Sequence, residues 1–169
     1  MASPGHRISA TDHTELLTDV GPVPKHVGAL LALDHADAAA LLAALGSRLA
    51  TIDRFSDRLL IPRNRLRRPS WRPDAGFDVD RHLAVVEVVD EPDAEQLIAA
   101  AVREATEPLP RDRPLWRAAV VAGPDGRAHG IVLTMHHVLA DGLGGLAVLQ
   151  RLVDEPPLPE PPLPVPAAP

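Results

Sequence analysis

Two short apolar runs joined by a tight turn constrain this chain more than any other stretch. Residues 115–121 and 128–135 are built mostly from Val, Leu, Ile and Ala, and Gly123-Pro124-Asp125-Gly126 stands between them. Short runs of this composition read as strands. Glycine supplies positive φ and proline presets the turn, so the two strands are expected to pair as a hairpin. The second strand runs directly into Met135-His-His-Val-Leu-Ala-Asp-Gly-Leu-Gly-Gly145, where residues 142–152 read as a helix.

The rest of the chain supplies elements to pack around that hairpin. Ser9 followed by Asp12 resembles a capping box, so a short helix to about Thr18 is expected, ended by Gly21-Pro-Val-Pro24. Residues 26–33 are an apolar run that reads as a buried strand. Asp34 is then expected to cap a helix running through Asp37 to about Leu49. Leu41, Leu42, Leu45 and Leu49 share one of its faces. Residues 58–63 read as a short strand, 64–76 as an irregular basic loop and 83–89 as a strand. Pro92-Asp93 opens a helix to about Ala105, with Leu97, Ala100, Ala101 and Glu104 at its spacing. The order implies an α+β fold with a partly antiparallel sheet flanked by helices.

Composition narrows the function classes. The 169-residue chain carries a net charge of −6, which argues against a nucleic-acid binder. It has no cysteine, hence no disulfide, thiolate nucleophile or Cys-based zinc site. With two Trp, two Phe and no Tyr, the core must be built from aliphatic side chains. The N-terminus has no apolar signal core, and no stretch approaches the roughly 18 apolar residues of a membrane helix. The expected location is cytoplasmic, with peripheral membrane contact left open. Residues 154–169 are proline-rich and read as an extended, linker-like tail.

The chemistry sits where the second hairpin strand meets the last helix. Strand-to-helix junctions expose side chains beside free backbone N–H groups. Histidine can take and return a proton near neutral pH, so His136 and His137 are candidate acid–base groups. Asp141 can fix a ring or the local backbone. Gly142, Gly144 and Gly145 leave room for a substrate to approach. His137 and Asp141 have the spacing of two metal ligands, but no third ligand is evident, so no metal is expected.

His136, His137, Asp141 and Gly142 reproduce in full the HHxxxDG motif of the acyltransferase superfamily that resembles chloramphenicol acetyltransferase. Four further elements resemble the wax ester synthase/diacylglycerol acyltransferase family within it. Ile8-Ser-Ala-Thr-Asp12 is similar to its opening LSxxD element, and His26-Val-Gly28 to the following HVG strand. Phe77-Asp-Val-Asp-Arg-His82 is similar to its FDxxxH element, and Arg113-Pro-Leu-Trp116 to its RPLW element. One departure is Pro110, where the family usually has Asp before RPLW.

The resemblance covers about residues 7–153, the first of the family's two lobes. It implies a chloramphenicol acetyltransferase-like half-domain over residues 1–153, followed by a linker-like segment over residues 154–169. It implies an acyl-CoA-dependent O-acyltransferase in which His137 deprotonates a fatty alcohol or diacylglycerol hydroxyl. His136 and Asp141 would hold the site's shape, with Arg7 or Arg113 as the partner of Asp141. Acyl-CoA would be a co-substrate, and no bound cofactor is implied. Activity would need a second lobe, as a complementary chain or a homodimer, because one lobe leaves the channel open to water. The alternative is an inactive remnant or partner-binding lobe of the same fold. His82, Trp71 and Trp116 read as packing residues. The arginines at 63, 65, 67, 68 and 72 read as a solvated loop rather than a contact for CoA phosphates or anionic headgroups.

Overall fold

The computed structural model describes residues 6–64, 67–139 and 142–153. The elements are β1 (His6–Arg7), α1 (Ala10–Thr18), β2 (His26–Asp37), α2 (Ala38–Leu49), β3 (Asp57–Leu60) and β4 (Ser70–Pro73). They continue with β5 (Leu83–Glu87), α3 (Ala94–Thr106), β6 (Trp116–Ala122), β7 (Arg127–His136) and α4 (Gly142–Gln150). Short 3-10 turns cover Asp53–Ser56 and Val79–His82.

The expected hairpin is the centre of the molecule. β6 and β7 pair antiparallel, from Trp116 opposite Met135 to Ala122 opposite Ala128. Gly126 turns the chain with φ +77°, a conformation glycine adopts without strain. β2 adds antiparallel to β7, and β5 adds parallel to β6, giving the order β2-β7-β6-β5. A parallel neighbour needs a crossover, and α3 supplies it between β5 and β6.

Because side chains alternate across a strand, the apolar central strands feed two cores. On one face Leu97 and Ala100 of α3 pack against Ala119, Val121 and Val132. On the other, Ala38 and Leu45 of α2 pack against Val120, Ala122 and Ile131. Further along that second face, Leu49, Phe55, Leu59 and Trp71 meet Trp116, Leu133, Met135 and Val148. That third cluster ties a smaller antiparallel sheet, of order β1-β4-β3, and helix α4 to the large sheet. Each fully buried leucine or valine here contributes about 1.5–3 kcal/mol.

Both capping signals hold. Ser9 and Asp12 form a reciprocal box at α1, and Asp93 with Gln96 forms another at α3. Two expectations do not. Asp34 does not cap α2; β2 continues to Asp37, which is the cap, its side chain accepting from the Ala40 N–H at 2.7 Å. The ladder with β7 extends the strand past an irregularity between Ala32 and Ala36, and cross-strand pairing outweighs the first available cap. The basic stretch 64–76 is not wholly irregular either. It contains β4, whose Trp71 is buried opposite Leu59 while Ser70 and Arg72 turn to the other face.

Residues 154–169 and Asp141 lie outside the described residues. No helix among those described is long and apolar enough to cross a membrane.

Candidate active site

The five sequence elements converge on one end of the large sheet. His136 is the last residue of β7, opposite His26 of β2. Its N–H donates to the Leu115 carbonyl at 2.9 Å, and the His137 N–H donates to the Lys25 carbonyl at 2.9 Å. The segment entering β6 and the residue preceding β2 thus clasp the two histidines between them. The Leu139 N–H closes a turn onto the His136 carbonyl at 2.8 Å.

His136 is wholly buried and both its ring nitrogens are engaged. Nδ1 accepts from the Val138 N–H at 3.2 Å, so Nε2 carries the proton and donates to Asp19 Oδ2 at 3.1 Å. Burial holds its pKa below the ordinary histidine value. The Arg111 charge adds to this, and the Asp19 hydrogen bond opposes it. A neutral imidazole with no free lone pair cannot serve as a base; it fixes the turn that presents its neighbour.

Asp19 anchors that arrangement. Its side chain is 6% exposed and takes His136 and the Arg111 guanidinium on Oδ2, while Oδ1 accepts the Lys25 N–H at 2.9 Å. Burial raises its pKa. The hydrogen bonds from Lys25 and His136, with the charge of Arg111, reverse that and leave it low. Asp19 is the C-cap of α1, where the helix dipole disfavours an anion. An acid in that position is the sequence signal that it has partners elsewhere.

His137 differs. It is half-buried, and among the described residues no hydrogen bond engages its ring. Glu15 of α1 is near: its carboxyl is held low first by the hydrogen bond from Lys25 Nζ, with the imidazoles of His137 and His136 adding. Of the two adjacent histidines, one is locked, and the other has no ring hydrogen bond among the described residues.

The flanking elements form the floor. Trp116 stacks on His82 at 4.5 Å and 14°, and the His82 Nδ1–H donates to the Trp116 carbonyl at 2.9 Å. Trp116 Nε1 donates to the Phe55 carbonyl at 2.8 Å, and Phe77 completes the cluster beside His82. The FDxxxH and RPLW elements therefore meet side chain to side chain, with Trp116 opposite Met135 across the β6–β7 ladder. His82, Trp71 and Trp116 are core residues, as their sequence context implies. The glycine of HVG is also explained. A Cβ on Gly28 would lie 2.9 Å from the Ala105 Cβ, so α3 crosses β2 closely there. His26 is held by donating Nδ1–H to the Ala105 carbonyl at 2.9 Å.

Gly144 lines a cleft of about 320 Å³ with Phe55, Leu139 and Val148, and Gly145 is buried with Met135 beside it. Gly142 starts α4. Of the two proposed partners of Asp141, Arg113 pairs with Asp112 at 3.2 Å, and Arg7 lies in the small sheet. Sequence reading passed over Asp19, Arg111, Lys25 and Glu15.

The fold is that of chloramphenicol acetyltransferase-like enzymes. Its arrangement matches the wax ester synthase/diacylglycerol acyltransferase from Marinobacter aquaeolei VT8, with a TM-score of 0.66 at 24% identity over 86% of this chain and 37% of that one. It also matches the first condensation domain of the calcium-dependent antibiotic synthetase, with a TM-score of 0.69 at 26% identity over 89% of this chain and 36% of that one. The chain belongs to the wax ester synthase/diacylglycerol acyltransferase catalytic-domain family, whose model matches residues 8–169. Among curated relatives, the probable diacylglycerol O-acyltransferase tgs1 of Mycobacterium tuberculosis is 31% identical over 131 residues, 76% of this chain and 28% of the relative. Across such relatives the chain spans from 19% to 56% of their length.

Proposed function

We propose that this chain is the N-terminal lobe of an acyl-CoA-dependent O-acyltransferase in which His137 is the general base. The observation that carries this is the inequality of the two histidines. His136 has both nitrogens committed, while the ring of His137 is half-buried and unengaged by any described residue. His137 takes the proton from the hydroxyl of a fatty alcohol or diacylglycerol. The alkoxide oxygen attacks the acyl-CoA thioester, the C–S bond breaks, and CoA leaves as the thiol with the proton returned by the imidazolium. His136, Asp141 and Gly142 act as positioning residues for the turn and the helix start.

Catalysis on this reading requires a second lobe to close the site against water. The share of the family's length spanned by the chain supports that requirement. It equally supports a second reading, a partner-binding or inactive lobe of the same fold. The protein would act in the cytoplasm at the edge of a lipid phase.

The test is transfer of a labelled acyl group from acyl-CoA to hexadecanol or diacylglycerol, with the chain alone and supplied with a family C-terminal lobe. His137→Ala is expected to lower turnover about 10²- to 10⁴-fold with folding intact. His136→Ala should lower stability as well. Wild-type turnover by the folded His137→Ala variant overturns the assignment, and no turnover in any assembly favours the second reading.

A further inference from the structure

The small sheet carries a feature that the transfer chemistry does not use. Residues 54–73 hold seven arginines and one acid, Asp57, in a chain whose net charge is −6. The structure concentrates several of them. Trp71 and Leu59 turn inward, so Ser70 and Arg72 of β4 and Arg7 of β1 share the outward face. With the segment after β3 they line a cleft of about 790 Å³ that includes Arg67, Arg68 and the exposed Ile61, and among the described residues no acid lines it. None of these four arginines forms an ion pair with a described carboxylate. The register places Arg58 directly opposite Arg72, a like-charge pair that opposes strand pairing unless an anion sits near it. Converging guanidinium groups match phosphate oxygens in geometry and charge. A one-signed concave wall also focuses the field.

We infer that this cleft, walled by Arg7, Arg67, Arg68 and Arg72, is a binding site for phosphate-bearing anions. The inference stands independently of the transferase reading, because it rests on the small sheet and not on His137. The phosphates come either from a soluble polyphosphate group or from the headgroups of an anionic lipid surface, which Ile61 would then enter.

The experiment uses the whole chain with two probes. Inorganic pyrophosphate is titrated by calorimetry, and vesicles of phosphatidylglycerol or of phosphatidylcholine are sedimented with the protein at low and high salt. The variant is Arg68→Glu with Arg72→Glu, both exposed, and the control is Arg103→Glu with Arg127→Glu, which makes the same charge change elsewhere. Near-ultraviolet circular dichroism checks the fold through Trp71, on the inner face of the same strand. Wild type is expected to bind at least one probe in a salt-sensitive way. The cleft variant should lose about tenfold or more, as expected for removing charge-assisted contacts, while the control binds like wild type. Pyrophosphate binding in free solution assigns the site to a soluble phosphate; binding only to phosphatidylglycerol vesicles assigns it to headgroups. Binding of neither probe, or equal loss in the cleft and control variants, overturns the proposal.

Discussion

Replacing Asp19 by alanine tests the framework that positions the histidine turn. Its carboxylate accepts from three donors of different worth. The His136 Nε2–H is wholly buried, and the Lys25 N–H lies at the base of β2. Each buried donor left without an acceptor costs about 1–3 kcal/mol. Arg111 is roughly half exposed and returns to water, so its pair adds about 0–1 kcal/mol. Relief at the helix C-terminus offsets a few tenths. The expected loss for Asp19→Ala is therefore about 3 kcal/mol, or roughly 6–12 °C in Tm for a domain of this size. Asp19→Asn keeps one acceptor oxygen but turns the other into an NH2 that faces a donor, so it should recover only part of the loss and cost about 2 kcal/mol. Urea unfolding followed by fluorescence measures both, since Trp71 and Trp116 are buried. If Asp19→Ala falls within about 0.5 kcal/mol of wild type, the range of ordinary surface changes, the anchoring role is wrong.

Acid should destabilise the protein well above the carboxylate range. Burial lowers the pKa of His26, His82 and His136 in the folded state, so the unfolded chain takes up protons first. Their contribution is complete above about pH 6.5 and is lost as pH falls, with a slope reaching ~1.4 kcal/mol per pH unit for each histidine. Urea midpoints that stay flat from about pH 7.5 to 5.5 would contradict this. Gly28→Ala should cost about 1–3 kcal/mol by forcing α3 off β2, and Ala105→Gly in the same chain should restore most of it. Additive losses in that double variant, by thermal unfolding, would place the strain elsewhere.

Much of this architecture is written in local signals. The Gly123–Gly126 turn, the Ser9 and Asp93 caps and the alternation through β6 and β7 each act over a few residues, and each is where its chemistry predicts. The failures involve competition between local and distant terms. Asp34 and Asp37 are equally good caps, and only the pairing of Asp37 with Arg127 decides between them. β4 is a four-residue strand in a run of arginines and prolines, and its partners lie in β1 and β3. The site divides in the same way. The HHxxxDG motif names His136 and His137, but what makes them unequal is Asp19, which is 117 residues away from His136 in sequence and joined to Arg111 across another 92. No periodicity carries that information.

The pairing of β2 with β7 has a consequence for biosynthesis. His26 meets His136 and Asp37 meets Arg127, so the outer strand is complete long before its partner exists. At roughly 5–20 residues per second, about 5–20 s of translation separate the two strands. Throughout that interval a largely aliphatic segment waits beside the ribosome without its sheet, and a nascent-chain chaperone has its clearest target there.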